Sequence, residues 1–262
     1  MQLDLLSHYD RSSLTSDDWN TLTNIRNAYE EDCVQPFVSS HQSIPLIPPK
    51  QPYRSRIKLQ RLVDLKYKYV AVIASFIKRI LRLDTFSVSV DRDFAFLKDS
   101  FQCLITTTAC ELLKSRVLDC VPWEHDRLAF EAVLTEGTVQ RLEEILNIFR
   151  SMLPQDPIVM KLFIIAIALS TRVLPLMEKS EYTENDFAPF PKSIVLSQNY
   201  YVTLLWKYLC YRVGYADAVI FSARFIQTFL RRQELENDST TIVQKRDDHG
   251  ELLHLTHTSM RL

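Results

Sequence analysis

Residues 61–83 read RLVDLKYKYVAVIASFIKRILRL. Apolar residues recur in this stretch every three or four positions, which is the period of one face of an α-helix. They are Leu62, Leu65, Tyr69, Val72, Phe76, Ile80 and Leu83. The pattern predicts a helix over about 56–83, longer than the average helix of a globular protein. We expect a helix of this length to run through the middle of a helical domain.

A second long helix is predicted over residues 91–119. Its apolar residues occupy more than one side, as expected of a helix buried in a core. They include Phe94, Leu97, Phe101, Leu104, Ile105 and Leu112, with Thr108 among them. We expect this helix to cross the core beside the first long one.

The composition of the chain favours an all-α domain. The chain has 262 residues and 3 glycines, whereas average usage would give about 18. Phosphate-binding loops and tight β-turns both depend on glycine, so neither is expected. A net charge of −1 argues against direct binding to nucleic acid. We expect a frayed segment over residues 1–15 and one domain over residues 16–262.

The cysteines and the apolar runs indicate a soluble intracellular protein. The 5 cysteines form no Cys-x-x-Cys pair, so we expect reduced thiols and no zinc module. The longest apolar run, residues 158–169, is too short to span a bilayer and contains Lys161.

Further helices are predicted from start and stop signals. Ser16-Asp17-Asp18 favours a helix start, and Pro36 is expected to end that helix before a proline-rich loop over 39–53. Thr138 is expected to begin another helix, and Asp156-Pro157 has the N-cap and N1 pattern of the next. Two final helices are predicted over 193–213 and 215–236. A short strand pair or a turn is expected within 121–134.

Lys78 and Lys98 each lie at the end of an apolar helical run or within one. On neighbouring helices, two lysines can bind the C-terminal carbonyls of a third, docked helix. An apolar groove between them could take the leucine face of that helix. The ordinary alternative is that both are solvated surface charges.

Four stretches of the chain resemble the ligand-binding domain of nuclear hormone receptors. Residues 22–31, LTNIRNAYEE, are similar to the first helix of the vitamin D and pregnane-type group. Residues 76–80, FIKRI, resemble the end of the family's third helix, and residues 93–98, DFAFLK, resemble the start of its fourth. Residues 156–169 and 193–236 fit the family's eighth to eleventh helices in order and length. The likeness is to the invertebrate branch of xenobiotic and lipid sensors.

The resemblance implies a three-layer antiparallel helical sandwich and a ligand-regulated transcription factor domain in the nucleus, with or without a cytoplasmic pool. It implies no catalysis and no cofactor. A retinoid X receptor-type partner would bind the helix over 215–236. DNA would be bound only through a zinc-finger domain absent from this chain.

The resemblance also assigns a ligand site. A small lipophilic molecule, such as a sterol, a lipid or a xenobiotic, would lie in a buried, mostly apolar cavity. Its predicted lining is Leu65, Tyr69, Val72, Phe76, Ile105, Thr108, Leu112 and Trp123. Tyr69 and Thr108 would offer hydroxyl groups to the ligand. The ordinary alternative for all of these residues is core packing.

A coregulator helix with the motif Leu-x-x-Leu-Leu would bind outside this cavity. Lys78 and Lys98 would meet its C-terminal carbonyls, and Glu251 would meet its free N–H groups. The chain departs from the family pattern here, because His254 stands near the position expected for the acid. Thr108 likewise stands where the family usually has an arginine.

Two other functions remain open from the residues. One is a helical adaptor with a solid core that binds only proteins. The other is a receptor domain without a ligand, which acts through corepressor or constitutive contacts. His249, His254 and His257 could suggest a metal, but no cysteine or patterned acid completes a set, so we expect tail histidines and no metal site.

Overall fold

The structure is a computed structural model. It describes residues 13–42, 64, 69, 71–81, 104, 108, 134–152, 156–170, 192–246 and 249–250. About 92% of these residues are helical, and none of them is in a strand, which confirms the predicted all-α class for this part of the chain. None of the helices in these ranges is both long enough and apolar enough to cross a membrane.

The first helix, α1 (Ser16–Tyr29), begins at a capping box. The Thr15 hydroxyl accepts a hydrogen bond from the Asp18 N–H at 3.1 Å, and the Asp18 carboxylate accepts one from the Thr15 N–H at 2.9 Å. Each side chain satisfies a backbone donor that the helix leaves open. The cap therefore lies one residue before the predicted start, while Asp17 and Asp18 occupy the first turn as predicted.

The prediction that Pro36 ends the first helix is wrong. A π-helical turn, Glu30–Val34, follows α1 and leads directly into α2 (Gln35–Gln42), which contains Pro36. In a regular α-helix the proline ring would clash with the carbonyl four residues earlier. The wider π turn leaves room for the ring. Residues 39–42 of the predicted loop are therefore helical, and residues 43–53 lie outside the described residues.

Residues 71–81 form the helix α3, and the isolated residues 64 and 69 before it are helical too. Seven of its side chains are buried and cover roughly 200° of the helix circumference at 100° per residue, while Ser75 is exposed. The buried ones are Val72, Ile73, Ala74, Phe76, Ile77, Ile80 and Leu81. The helix therefore has a wide buried face, and Lys78 and Arg79 lie on its other, partly exposed side. Leu104 and Thr108, from the second predicted long helix, are helical and buried, whereas residues 121–133 lie outside the described part.

The helices α4 (Glu136–Met152) and α5 (Pro157–Ala168) follow. The helix α4 starts two residues before the predicted Thr138, because the Thr135 side chain accepts a hydrogen bond from the Thr138 N–H at 3.3 Å and caps it. The predicted start of α5 is confirmed, since Asp156 accepts a hydrogen bond from the Ile158 N–H at 2.8 Å. Residues 159–169 are all buried.

The last two described helices are α6 (Lys192–Val213) and α7 (Tyr215–Gln244). They are joined by Gly214 alone, whose φ of 82° and ψ of 164° suit only glycine. The helix α7 continues past the predicted end at residue 236. An ion pair of 2.8 Å between Asp238 and Arg141 on α4 holds this extension.

The helices pack in pairs around a shared apolar core. The helix α7 contacts α4 and α6, and α5 contacts α6 and α1. Aromatic rings fill the space between α4, α5 and α7: the Phe163 and Phe225 rings stack, and the Phe149 ring meets the Phe225 ring at 5.4 Å. Phe225 therefore contacts two neighbouring helices at once.

We expect Phe225→Ala to lower the free energy of unfolding by about 3–5 kcal/mol, because it leaves a cavity among three helices. Ile226→Ala is the matched control, since Ile226 follows on the same helix and is 57% exposed. Its effect should be about 0.5 kcal/mol or less. Urea unfolding followed by circular dichroism measures both values, and equal losses would contradict the packing described here.

Candidate functional site

Half of the predicted ligand-lining residues fall in the described part of the chain. Tyr69, Val72, Phe76 and Thr108 are helical and buried. The others, Leu65, Ile105, Leu112 and Trp123, lie outside the described residues. The ligand-binding role of all eight stays a prediction.

Tyr69, Val72 and Phe76 lie on one helical face. This face contacts residues 16–42, which we call the first helical segment and which comprises α1, the π turn and α2. The ring centroids of Tyr69 and Phe37 are 4.9 Å apart. The Cys33 thiol donates a hydrogen bond to the Val72 carbonyl at 3.4 Å. The Tyr29 and Phe76 rings meet edge to face at 5.2 Å.

The π turn aligns the three partners on the first helical segment. Tyr29, Cys33 and Phe37 are spaced four residues apart, and in a regular α-helix each such step would drift by roughly 40°. A π turn rotates less per residue, which reduces this drift. The three side chains therefore all reach α3, and π turns of this kind are frequent at functional sites.

Tyr29 also contacts a buried lysine. The Lys161 ammonium lies 4.5 Å from the centroid of the Tyr29 ring. Lys161 is 6% exposed and Tyr29 is fully buried. A cation over an aromatic face is attracted by the ring quadrupole, and more strongly when water is excluded. The sequence showed Lys161 only as an interruption of an apolar run, and no local signal indicated its partner.

Two buried hydroxyl groups stand out. The side-chain oxygens of Thr108 and Ser197 are inaccessible to solvent, and neither has a hydrogen-bond partner among the residues that the structure describes. An unsatisfied buried hydroxyl costs about 1–3 kcal/mol, so such groups usually bind water or a ligand. Thr108 is one of the two residues predicted to offer a hydroxyl to the ligand.

Lys78 is the one predicted coregulator residue in the described part, and its side chain is partly exposed. It follows Phe76 by two residues, and two residues turn an α-helix by roughly 200°. Lys78 therefore lies on the side of α3 away from the first helical segment. Lys98 and Glu251 lie outside the described residues.

Arg79, next to Lys78, binds the π turn. Its guanidinium forms an ion pair with the Glu31 carboxylate at 2.5 Å and lies 3.5 Å from the Asp32 carboxylate. Hydrogen bonding to Glu31 raises the pKa of Arg79. No local pattern in the sequence indicates this pair, because 48 residues separate the two partners.

A second polar contact set joins α5 to α6. The Asp156 carboxylate, which caps α5, also accepts a hydrogen bond from the Tyr208 hydroxyl at 2.8 Å and forms an ion pair with Arg212 at 2.5 Å. Burial raises the pKa of the Tyr208 phenol, and the hydrogen bond to Asp156 raises it further. Asp156 was predicted only as a cap. Its other partners carried no signal in the sequence.

The helix α1 lies antiparallel to α6. Asp18 is 3.2 Å from the Lys207 ammonium, and the Thr21 and Tyr200 hydroxyls are 3.1 Å apart. Trp19 meets the Tyr208 and Tyr211 rings edge to face. Burial raises the pKa of Asp18, but the hydrogen bond from Thr15 and the Lys207 ammonium outweigh this, so its pKa lies below the ordinary value.

Exposed apolar side chains form a stripe on α6 and α7, which we call the apolar stripe. Tyr215, Val219, Ile226 and Leu230 recur on α7 at spacings that place them on one face. The Trp206 ring on α6 meets the Tyr215 ring at 5.8 Å, so the two helices present one surface. Other exposed apolar side chains on these two helices are Val195, Leu196, Val202 and Ile220. Contiguous exposed apolar surface commonly marks a protein-binding site.

Metal ligands do not gather in the described part of the chain. No group of three histidine, cysteine or acidic side chains there is placed to bind a metal ion. His254 and His257 lie outside the described residues, as do Cys103, Cys110 and Cys120. Cys33 is a buried thiol and Cys210 a partly buried one.

No protein-family model matches the chain, and a search of curated proteins finds no matching relative.

The lowered pKa of Asp18 predicts an acid-dependent contribution to stability. Since the folded pKa lies below the ordinary value of 3.8, this contribution is present above that pH and is lost as the pH falls through the folded pKa. Lys207→Met removes one cause of the lowering. We expect it to destabilise the protein at neutral pH, and by less at about pH 3.

Urea unfolding at the two pH values measures the difference between Lys207→Met and the wild type. Lys245→Met is the control, because Lys245 is an exposed lysine at the end of α7. The free energy of unfolding of Lys245→Met should differ from that of the wild type by the same amount at both pH values. A pH-independent difference for Lys207→Met would contradict the coupling to Asp18.

Proposed function

We propose that the chain is a ligand-binding domain of the nuclear hormone receptor type, with no catalytic role. In this proposal it binds a small lipophilic molecule in its interior and a Leu-x-x-Leu-Leu coregulator helix on its surface. It acts in the nucleus and meets DNA only through a separate zinc-finger domain. Support comes from the resemblance of the four stretches and from the helical structure of three of them.

The three-layer antiparallel sandwich is part of the same proposal. The helix α5 is buried on all sides, as expected of a middle layer, and α3 has a wide buried face. The helices α1 and α7 each have a buried face and an exposed face, as expected of outer layers. A cavity between layers would be lined by residues of the middle helices.

Thr108 is the observation that supports a ligand most directly. Its buried hydroxyl has no hydrogen-bond partner within the described ranges. A buried hydroxyl without a hydrogen-bond partner costs free energy, and a hydrogen bond to a polar ligand atom would remove that cost. Thr108 belongs to a segment that the resemblance places beside the ligand.

The adaptor with a solid core is the second candidate. It is favoured by the contacts of Tyr69, Val72 and Phe76 with the first helical segment, because side chains that fill the core are not available to line a cavity. A receptor domain without a ligand would share this packing. The two candidates differ from the main proposal in whether the purified protein holds a small molecule.

The coregulator site combines Lys78, Lys98 and Glu251. Lys78 fits the site because it is partly exposed on the outer side of α3. Its ammonium would bind the C-terminal carbonyls of the docked helix, where the helix dipole is negative. Lys98 on the neighbouring helix would bind the same carbonyls, and Glu251 would bind the opposite end.

The apolar stripe supports the proposed retinoid X receptor-type partner. It runs along the α7 helix, where the resemblance places the dimer face. Burial of aromatic and aliphatic side chains is the main source of affinity in the centre of an interface. Tyr215, Ile226 and Leu230 are each more than half exposed and would be covered by the partner.

Native mass spectrometry of the purified protein tests the ligand. We expect a fraction of the wild type to carry an adduct of small-molecule mass. Thr108→Val keeps the shape of the side chain and removes the hydroxyl, so it should lower the adduct fraction about tenfold. Ser197→Ala is the matched control, because Ser197 also has a buried hydroxyl with no partner in the described part. Its adduct fraction should equal that of the wild type.

Organic-solvent extraction followed by mass spectrometry identifies the adduct. A wild type without an adduct, together with no thermal shift on addition of cholesterol, would favour the adaptor. If the adduct is equally abundant in Thr108→Val, Thr108 does not contribute to the ligand site, but ligand binding itself stands.

Ile226→Arg tests the dimer face. A charge in the apolar stripe should weaken association with a retinoid X receptor ligand-binding domain at least about tenfold, because a buried unpaired charge is costly. Analytical ultracentrifugation of mixtures at increasing concentration measures the dissociation constant.

Gln140→Arg is the control for this measurement, since it adds the same charge at an exposed position on α4. Its dissociation constant should match that of the wild type. An unchanged constant for Ile226→Arg would place the interface elsewhere.

A further inference from the structure

We infer that Arg79 is a positioning residue for Lys78, and that its ion pair with the π turn orients the coregulator-binding side of α3 from the side that faces the first helical segment. This inference rests on the proposed coregulator function and deepens it. The observation behind it is that Arg79 binds Glu31 and Asp32 on the π turn. Its neighbour in the chain, Lys78, faces away from that turn.

Three contacts hold one face of α3 to the first helical segment. They are the hydrogen bond from Cys33 to the Val72 carbonyl, the edge-to-face contact of Tyr29 with Phe76, and the ion pair of Arg79 with Glu31. Val72, Phe76 and Arg79 are spaced by four and three residues, so the contacts form one line along the helix. A line of contacts on one face fixes the rotation of a helix about its own axis.

The Arg79 contact is the one that can be changed without opening the core. Phe76 and Tyr29 are fully buried, whereas the side chains of Arg79 and Glu31 are 40% and 55% exposed. An exposed ion pair contributes little to global stability. Its contribution to orientation is separate, because it holds the position next to Lys78.

The geometry makes Lys78 sensitive to this rotation. Side chains extend to a radius of roughly 6 Å from a helix axis, so a rotation of about 30° would move the lysine by about 3 Å. A displacement of that size is as long as a hydrogen bond. The ammonium would then no longer reach the carbonyl end of a docked helix.

The π turn itself is suited to this role. It presents three consecutive acids, Glu30, Glu31 and Asp32, and two of them contact the Arg79 guanidinium. A guanidinium can donate several hydrogen bonds in a fixed plane, so two acids orient it better than one. Lysine at position 79 would keep the positive charge but would lose the planar set of hydrogen-bond donors.

A charge-swap series tests the inference. The variants are Arg79→Glu, Glu31→Arg and the double exchange, together with the conservative Arg79→Lys. Two quantities are measured on each variant of the 262-residue chain. One is the dissociation constant of a fluorescent Leu-x-x-Leu-Leu peptide, and the other is hydrogen exchange of the backbone amides of residues 76–81 without peptide. Lys78→Glu serves as the variant that removes the lysine itself.

We expect Arg79→Glu to weaken the peptide about three- to tenfold and to speed exchange at residues 76–81. Glu31→Arg should do the same, since two cations then face each other. The double exchange should recover at least about half of the loss on a logarithmic scale, because Asp32 remains beside the new acid. Arg79→Lys should lie between the wild type and Arg79→Glu.

Arg141 and Asp238 provide the matched control. They form an exposed ion pair of 2.8 Å between α4 and α7, each 49% exposed. Arg141→Glu should lower the urea midpoint as much as Arg79→Glu does and leave the peptide affinity unchanged. A purely structural role for Arg79 would give the same result for both variants.

The possible failures are distinguishable. If the wild type binds the peptide and Arg79→Glu binds it equally well, the inference is overturned and the coregulator site stands. If Lys78→Glu also binds like the wild type, the proposed site at Lys78 is overturned as well. If the wild type does not bind the peptide at all, both the proposed coregulator function and the positioning role of Arg79 are contradicted.

Discussion

The packing of Tyr29 holds the described core together. Its ring is fully buried, takes the edge-to-face contact of Phe76 from α3 and lies under the Lys161 ammonium from α5. Three segments that are far apart in the chain therefore meet at one side chain. An aromatic ring can do this because its face attracts a cation while its edge and face both pack against other rings. The burial of α5 and of the wide apolar face of α3 accompanies their position beside it.

The sequence predicted the helices better than their contacts. Apolar periodicity located α3, and the Asp156-Pro157 signal located the start of α5, because both depend on local backbone and packing rules. The helix over Pro36 was missed, since a π turn changes the hydrogen-bond pattern without any change in composition. The extension of α7 was missed because the ion pair of Asp238 with Arg141 comes from a distant helix.

The candidate site was predictable only in part, for a related reason. Residue type and spacing indicated which side chains are buried, and Tyr69, Val72, Phe76 and Thr108 are buried. They could not indicate which neighbour each side chain meets, because a helical stripe looks the same against a cavity and against another helix. The contacts of α3 with the first helical segment needed coordinates.

Buried polar groups in this core fall into two kinds. Asp156 binds a backbone N–H, a phenol and a guanidinium, so its position is fixed from several directions. The Thr108 hydroxyl has no such partner in the described part. A network that is fully bonded gives rigidity, whereas a lone group gives specificity to whatever binds it. The contacts of Asp156 therefore join α5 to α6, whereas the hydroxyls of Thr108 and Ser197 stay unsatisfied among the described residues.

The contacts on either side of the π turn fix the number of residues between Tyr29 and Phe37. Tyr29 and Phe37 can both reach α3 only if seven residues separate them. One residue fewer would rotate α2 by roughly 100° and carry Phe37 away from Tyr69. Evolution could therefore exchange most side chains in this segment more easily than it could insert or delete a single residue. Conserved spacing, more than conserved identity, would be the trace by which distant relatives of this protein are recognised.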